Sequence, residues 1–359
     1  MLLEALRADA RLADWLRDLE SEGAPRVEAL LPDADELPDV LLDLTVAHEH
    51  INELVALRAR LVADEEAMTL LARCVRRFVR DMGEIGKGWE PPPFPASTGA
   101  LGRCFHLYVF VAALPHVRAY HRSRGIPDEV SRRTLADLGR HVSVHHRRFG
   151  TPGLLFPWWI ALHFHGELFQ LGRLQFQRAR LGQRVGRAVA GAAGARTEAG
   201  AGVGGVSGPG FGEGPEPGDL CLSLHITDFR GPLSPEACDR SLALAREFFA
   251  LHYPDERYDV AVCHSWLLDP QLKRYLSADS NIVRFQDRFD IAYEETTPDD
   301  QVPVGFVFGD PELPVERLPR RNSVERAVGD HLRAGGHWYE GHGWFALGTG
   351  RRPRPVGRV

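Results

Sequence analysis

Between residues 182 and 218 the chain almost runs out of large apolar side chains. About a third of its 36 glycines lie there, mixed with Ala, Ser, Pro and Glu. Such a composition buries too little surface to offset the entropy of ordering it. It predicts a flexible surface insertion between two strands. Any sheet must therefore be continuous across it, with the strands on either side, ending near Leu181 and starting near Leu220, pairing as a hairpin.

The front of the chain reads as helices. Leu2, Leu6, Leu12, Leu16 and Leu19 share one helical face, as do Met68, Leu71, Val75, Val79 and Met82. Pro91-Pro92-Pro93 is a connector, since no helix tolerates it. Two further helices are expected over 103–122 and 127–147, split by Gly125-Ile126-Pro127-Asp128. After Gly150-Thr151-Pro152-Gly153 the texture changes, and Glu167 to Leu181 alternates like a strand.

Past the insertion, Leu220 to Ile226 alternates strictly, with Cys221, Ser223 and His225 on the second face. A loop Thr227–Pro232 follows, and Ser234-Pro235-Glu236 starts a helix that runs to about His252. Val260 to Cys263 is a short buried strand, with a helix over Asp269–Leu276 after it. Strands are expected at Ile282–Tyr293, Val304–Phe308 and Trp338–Leu347, and a helix over 323–334. The reading is an α/β (α+β) chain: an all-helical domain over 1–150, then a mixed sheet flanked by helices over 151–350, with a disordered tail over 351–359.

With 43 basic and 49 acidic side chains the net charge is −6. That argues against nucleic acid as a partner, because phosphates require a positive field. No run approaches the roughly 20 apolar residues of a membrane span. The start, Met1-Leu2-Leu3-Glu4, lacks the pattern of a signal peptide. Five cysteines without CxxC spacing read as buried thiols, so a cytoplasmic protein is expected.

The order strand, loop, helix at 220–252 makes an anion site, because a helix N-terminus presents free N–H groups. Its loop, Asp228-Phe229-Arg230-Gly231-Pro232-Leu233, adds a guanidinium and a permissive glycine. Around it stand Gly166-Glu167-Leu168 with Gly172-Arg173-Leu174-Gln175-Phe176, then Leu224-His225-Ile226 and Gly231-Pro232-Leu233. Beyond these come Cys263-His264-Ser265-Trp266-Leu267-Leu268-Asp269-Pro270 and Ser280-Asn281-Ile282-Val283-Arg284-Phe285. In these phrases the chain resembles a two-domain bacterial acyltransferase-like family, with a helical N-acyltransferase N-terminal domain and a GNAT-like C-terminal domain.

The resemblance implies transfer of an acyl group, expected to be acetyl, from acyl-CoA to an amine of a small molecule or peptide. In that fold two neighbouring strands splay and the pantetheine of coenzyme A lies between them. Here those would be Leu220–Ile226 and Val260–Cys263. Leu224, Ile226, Asp228, Arg230, Gly231, Leu233 and Ser234 would then bind the coenzyme. His225, at a strand end, is a candidate base toward the amine. His264 and Ser265 follow a buried strand where α/β sheets place ligands. Tyr275 would protonate the departing thiolate.

The loop departs from the usual pyrophosphate signature of such enzymes. It holds only Arg230-Gly231-Pro232, and Pro232 has no N–H to donate. Gln183-Arg184-Val185-Gly186-Arg187-Ala188 matches that signature but follows the wrong strand. The substituted loop keeps open a second reading, a catalytically inactive GNAT-like sensor or binding protein. A third is a metal-dependent hydrolase using His141, His145, His146, His163, His165 and Glu167. Arg140, Arg147 and Arg148 oppose a cation there, and no metal is expected. Phe156, Trp158 and Trp159 read as interdomain core, and Trp15, Trp338 and Trp344 as packing.

Overall fold

The computed structural model describes residues 2–21, 23, 30–200, 215–227 and 230–348. Asp228, the middle of the insertion (201–214) and the tail (351–359) lie outside the described residues.

Period-3.6 spacing in the front half yields helices that each turn one face inward. They are α1 (Leu2–Arg7), α2 (Ala13–Glu20), α3 (Leu37–Asp43), α4 (His48–Val62) and α5 (Glu65–Arg80). Asp64 caps α5 by accepting from the Ala67 N–H at 3.0 Å. Then comes α6 (Gly99–Ser123), which is buried along most of its length. Among the described residues the segment Ala96–Ser123 is long and apolar enough to cross a membrane, which corrects the expectation that no run is; 78% of its most apolar window is buried. A helix apolar all round is a core helix once neighbours cover it. Phe105, Tyr108 and Phe110 of α6 share one core with Phe78 and Phe164.

The single helix expected over 127–147 is two, α7 (Asp128–Leu135) and α8 (Asp137–Phe149). The Thr45 hydroxyl donates to the Ala136 carbonyl at 2.7 Å, and the Gly139 N–H donates to Leu44 O at 3.1 Å. Partners outside the helix thus hold the junction. Next, α9 (Pro157–Phe164) buries Ile160, Ala161 and Phe164 in the helical core. The first compact unit therefore ends at Phe169 and the second starts at Gln170, rather than near residue 150. Phe156 and Trp158 are 44% and 48% exposed, so neither is core.

The strand expected over 167–181 is split into β1 (Leu168–Leu171) and β2 (Leu174–Arg180). At the turn between them Gly172 has φ +71°, and a Cβ there would lie 2.7 Å from Ser241 Oγ. After the insertion, β3 (Leu220–Ile226) runs antiparallel to β2, from Leu174↔Ile226 to Arg180↔Leu220. This is the expected hairpin.

The start of the insertion is not flexible: it is a helix, α10 (Gln183–Gly200). Val185 and Val189, one turn apart, are buried with Cys221, Val260, Val262 and Trp344. Two apolar side chains at the right spacing suffice because the sheet offers them a ready surface. The signature-like Gln183–Ala188 is thus helical, and Gly186 serves packing, since a Cβ there would lie 2.8 Å from the Pro217 backbone.

Then come α11 (Pro235–His252) and β4 (Val260–Ser265). The helix expected at 269–276 is instead two 3₁₀ turns, Trp266–Leu268 and Pro270–Arg274. Buried Asp269 accepts from the Gln271 N–H at 2.8 Å and the Tyr339 N–H at 2.9 Å. Those bonds pin the chain where a helix would continue.

Ile282–Tyr293 is not one strand but α12 (Asn281–Gln286) followed by β5 (Asp290–Glu294). Ser280 caps α12 on the Val283 N–H, and Gln286 donates to Leu267 O and Asp269 O. Val304–Phe308 lies in a helix, α13 (Gln301–Phe308), and not in a strand. Asp299 accepts from the Val302 N–H at 3.2 Å, and Gly309 closes the far end at φ +86°. Local caps outweigh β propensity in a segment that finds no strand partner. The chain finishes with α14 (Ser323–Arg333) and β6 (Gly341–Ala346). The six strands are ordered β1-β2-β3-β4-β6-β5, with β3 and β4 parallel and β6 antiparallel to both β4 and β5.

Candidate functional site

β3 and β4 share only two register pairs, Leu222↔Ala261 and Ser223↔Val262. Further along, residues 224–226 pair with β2 and residues 263–265 with β6. Parallel strands that stay adjacent keep evenly spaced hydrogen bonds. Here the register stops, and two strand edges face each other across a gap at their C-terminal ends. Such edges can accept the backbone-like amides of an extended ligand. The gap also lies where α/β sheets bind ligands.

Register fixes which side chains flank this gap. Ser223 and Val262 are level and point to one face, so His225 and His264, two residues on, reach that same face from opposite sides. On β6, His342 stands opposite His264, and on β5, Tyr293 stands opposite His342. A row of polar rings thus crosses one face of the sheet at the level where β3 and β4 part.

The row is bonded. His225 Nε2 is 2.9 Å from Gln177 Oε1 on β2. His264 Nδ1 is 2.5 Å from His342 Nδ1, so one ring donates and the other accepts. The His342 ring stacks on Tyr293 at 4.1 Å between centroids. Its Nε2 lies 3.3 Å from Glu295 and 3.7 Å from Glu340. His264 keeps an open side, yet loss of water around its ring and the adjacent His342 imidazole hold its pKa down at about 4. Burial also lowers His342, against the pull of Glu295. Both rings are therefore neutral at pH 7 and able to take a proton. The hydroxyl of Ser265 accepts from the Leu267 N–H at 3.1 Å, capping the next turn.

The other end of the gap leads to α11. Leu224 and Leu233 are buried, and Ile226 is half-buried. Gly231 has φ +77°, and no atom lies within 4 Å of where its Cβ would be. The loop therefore leaves room for a phosphate against its backbone. Ser234 caps α11 by accepting from the Ala237 N–H at 3.3 Å, which engages one of the free amides. Positive charge makes up for this. Arg288 bonds the Pro235 carbonyl at 3.1 Å and Asp239 at 2.6 Å, and Arg240 and Arg284 lower the pKa of Glu236 after its hydrogen bonds do. With Arg230 these side chains could hold a pyrophosphate, with an extended arm along the gap.

The sequence singles out His225, His264 and the α11 start, and the structure sets His342 and Gln177 beside the two histidines and Arg288 beside α11. His342 sits between Gly341 and Gly343 in the strand expected over 338–347, but its place beside His264 follows only from the β4–β6 register. Those glycines are needed on the opposite face, where a Cβ at Gly341 would lie 2.7 Å from Leu268 and one at Gly343 2.8 Å from Phe289. Arg288 lies in the turn after α12, in a segment that the sequence reads as a strand, so its approach to α11 was not legible. Tyr275 is 41% exposed and is held by α14, its hydroxyl 3.0 Å from His331 Nδ1.

The histidines of the first unit do not converge on one point. His141 and His163 each lie 3.4 Å from buried Asp137, which also accepts from Arg140 and from the Trp159 indole. Burial alone would raise the Asp137 pKa, but His163, His141 and Arg140 hold it far below the carboxylate range. His145 bonds Thr151 O at 2.7 Å, and His165 bonds Glu167 at 3.1 Å. Among the described residues the group with metal-like spacing is instead Glu49, His50 and His146.

Known proteins resemble the chain in both of its halves. The N-acyltransferase N-terminal domain matches residues 35–166, and the GNAT-like C-terminal domain matches residues 168–345. No curated protein matches the chain. Among solved structures, an acyltransferase in complex with decanoyl-CoA and teicoplanin is 36% identical, with a TM-score of 0.80 over 96% of this chain and 98% of that one. An acyltransferase with CoA and 10C-teicoplanin is 36% identical at a TM-score of 0.79, with the same shares covered. An acyltransferase mutant with octanoyl-CoA is also 36% identical, at a TM-score of 0.80 and the same coverage. Two domain matches that together span nearly the whole chain, and neighbours aligned over almost their full length, make this chain a member of the two-domain N-acyltransferase family with a GNAT-like C-terminal domain.

Proposed function

We propose that this protein transfers an acyl group from acyl-CoA to the amine of a peptide-like acceptor. The early end of the β3–β4 register carries the reading, because it opens a slot with free strand edges on both sides. In it Leu224 and Ile226 would flank the pantetheine, and Arg230, Gly231, Leu233 and Ser234 would meet the pyrophosphate. The acyl chain is of medium length rather than acetyl, in line with the octanoyl- and decanoyl-CoA bound by its neighbours. The acceptor is of the glycopeptide type, in line with teicoplanin in two of them. Five free, buried cysteines suit a cytoplasmic site of action.

His225 takes the proton of the acceptor ammonium. The amine then attacks the thioester carbonyl, the C–N bond forms, and the C–S bond breaks as the thiolate takes the second proton shed by the attacking nitrogen. A strand-edge N–H facing the gap stabilises the oxyanion. Calorimetry with decanoyl-CoA, acetyl-CoA and CoA tests the reading. Decanoyl-CoA should bind most tightly, since each buried CH₂ contributes about 0.8 kcal/mol. No heat with any of the three at millimolar ligand would leave only the inactive, sensor-like alternative.

A further inference from the structure

Acylating an ammonium with a thioester releases one net proton: R–NH₃⁺ and RCO–SCoA give RCO–NHR, CoA–SH and H⁺. That proton must leave a slot walled by strands. The structure holds a chain of groups suited to this. It starts at His264, beside the gap. It passes to His342 through the 2.5 Å contact between Nδ1 atoms. Beyond it, the buried His342 Nε2 makes no hydrogen bond and lies 3.3 Å from Glu295 and 3.7 Å from Glu340, close enough for a small turn of either side chain to complete the path. Those carboxylates are 40% and 48% exposed and line a cavity of about 380 Å³ together with Trp266, Thr297, Asp299 and Val302.

We infer that His264 and His342 form the proton exit of the acyltransferase site, delivering to Glu295 and Glu340 at this cavity; the inference rests on the acyl-transfer reading. The proton arrives at His264 Nε2 from the acceptor, directly or by way of His225. His264 passes its Nδ1 proton to His342 Nδ1, and His342 passes its Nε2 proton to a carboxylate. One proton enters, one leaves, and each ring ends as its other neutral tautomer.

Every element packed around the pair supports this direction. From β3, His225 stands across the gap from His264. From β5, Tyr293 stacks on His342 and orients its ring. From α10, Arg184 lies over Tyr293 at 3.4 Å and 3.5 Å from Glu295, so its charge opposes holding a proton on His342. At the far end Glu295 is the nearer carboxylate, and burial and then Glu295 and Asp299 raise the Glu340 pKa, so that it too can hold a proton. His264 and His342 act through the acceptor's proton and need not touch the thioester.

The test is steady-state acyl transfer by wild type, His342→Gln, His264→Gln and the double variant across pH, with and without added imidazole. The expected result is a roughly 10–100-fold lower kcat for either single variant, an unchanged KM for decanoyl-CoA and an unchanged melting temperature. Imidazole should restore the rate, and the double variant should lose no more than the singles, because both sit on one path. A His342→Gln enzyme with the wild-type kcat and pH profile overturns the exit alone. So does a loss that imidazole fails to rescue and that a lower melting temperature accompanies. A wild type without turnover overturns the acyl-transfer reading, and the exit with it.

Discussion

His225, His264 and His342 come from three strands far apart in sequence and meet in one row because side-chain parity is fixed by register. The first two were legible: each closes an apolar strand, and strand ends are where a sheet keeps polar side chains. His342 was not: its strand was expected, but only the β4–β6 register sets it opposite His264. Tyr275 was expected to protonate the departing thiolate because the resembled fold places a tyrosine near there. It follows a 3₁₀ turn rather than a helix, and its hydroxyl lies 3.0 Å from His331 Nδ1. For His225→Gln, kcat should fall about 10²–10³-fold while calorimetry shows unchanged affinity for decanoyl-CoA. An equal loss of binding would mean that His225 shapes the slot and does not move a proton. Gly231→Val should weaken CoA binding and destabilise the fold by about 1–2 kcal/mol, the usual cost of a left-handed backbone for a branched residue. Titration of the variant with CoA and a urea melt measure both, and an unchanged dissociation constant would free the loop from the phosphate role.

Elements succeed or fail in sequence reading according to where their stabilisation comes from. The α11 helix was readable because Ser234-Pro235 is a local signal, and the Ser234 hydroxyl does accept from the Ala237 N–H. Ser234→Ala should cost about 1 kcal/mol in chemical denaturation. The start of the insertion was misread because its stability is tertiary: Val185 and Val189 are buried against the sheet, and Gly186 lets the helix approach Pro217. Gly186→Ala, favourable for an isolated helix, should therefore destabilise the protein by roughly 1–3 kcal/mol. A gain in melting temperature would show that Pro217 simply moves away. Val304–Phe308 went the other way, since a run of β-favouring residues forms a helix once both its ends are capped.

Whole-molecule stability should depend on pH through buried histidines. Burial lowers His106 to about 3 and His121 to about 4, below the ordinary imidazole value of 6.5. The unfolded chain takes up these protons first, so stability is full above pH 6.5 and is lost as the pH falls toward 4. At pH 5 each buried ring should cost about 2 kcal/mol. The melting temperature should accordingly drop between pH 7 and pH 5, and the drop should shrink in a His106→Phe variant. A flat profile would mean that the rings are solvated. At this scale the sequence by itself determined the helical character of the front of the chain, the β2–β3 hairpin across the insertion and the strand–loop–helix at 220–252. Each of these rests on periodicity, caps and turns within one segment. Only the tertiary structure decided that β3 and β4 share just two register pairs, that three histidines align across the sheet and that the domain boundary falls at Phe169. Those outcomes depend on which strand lies beside which and how far they stay paired, a balance struck between distant segments that no local pattern encodes.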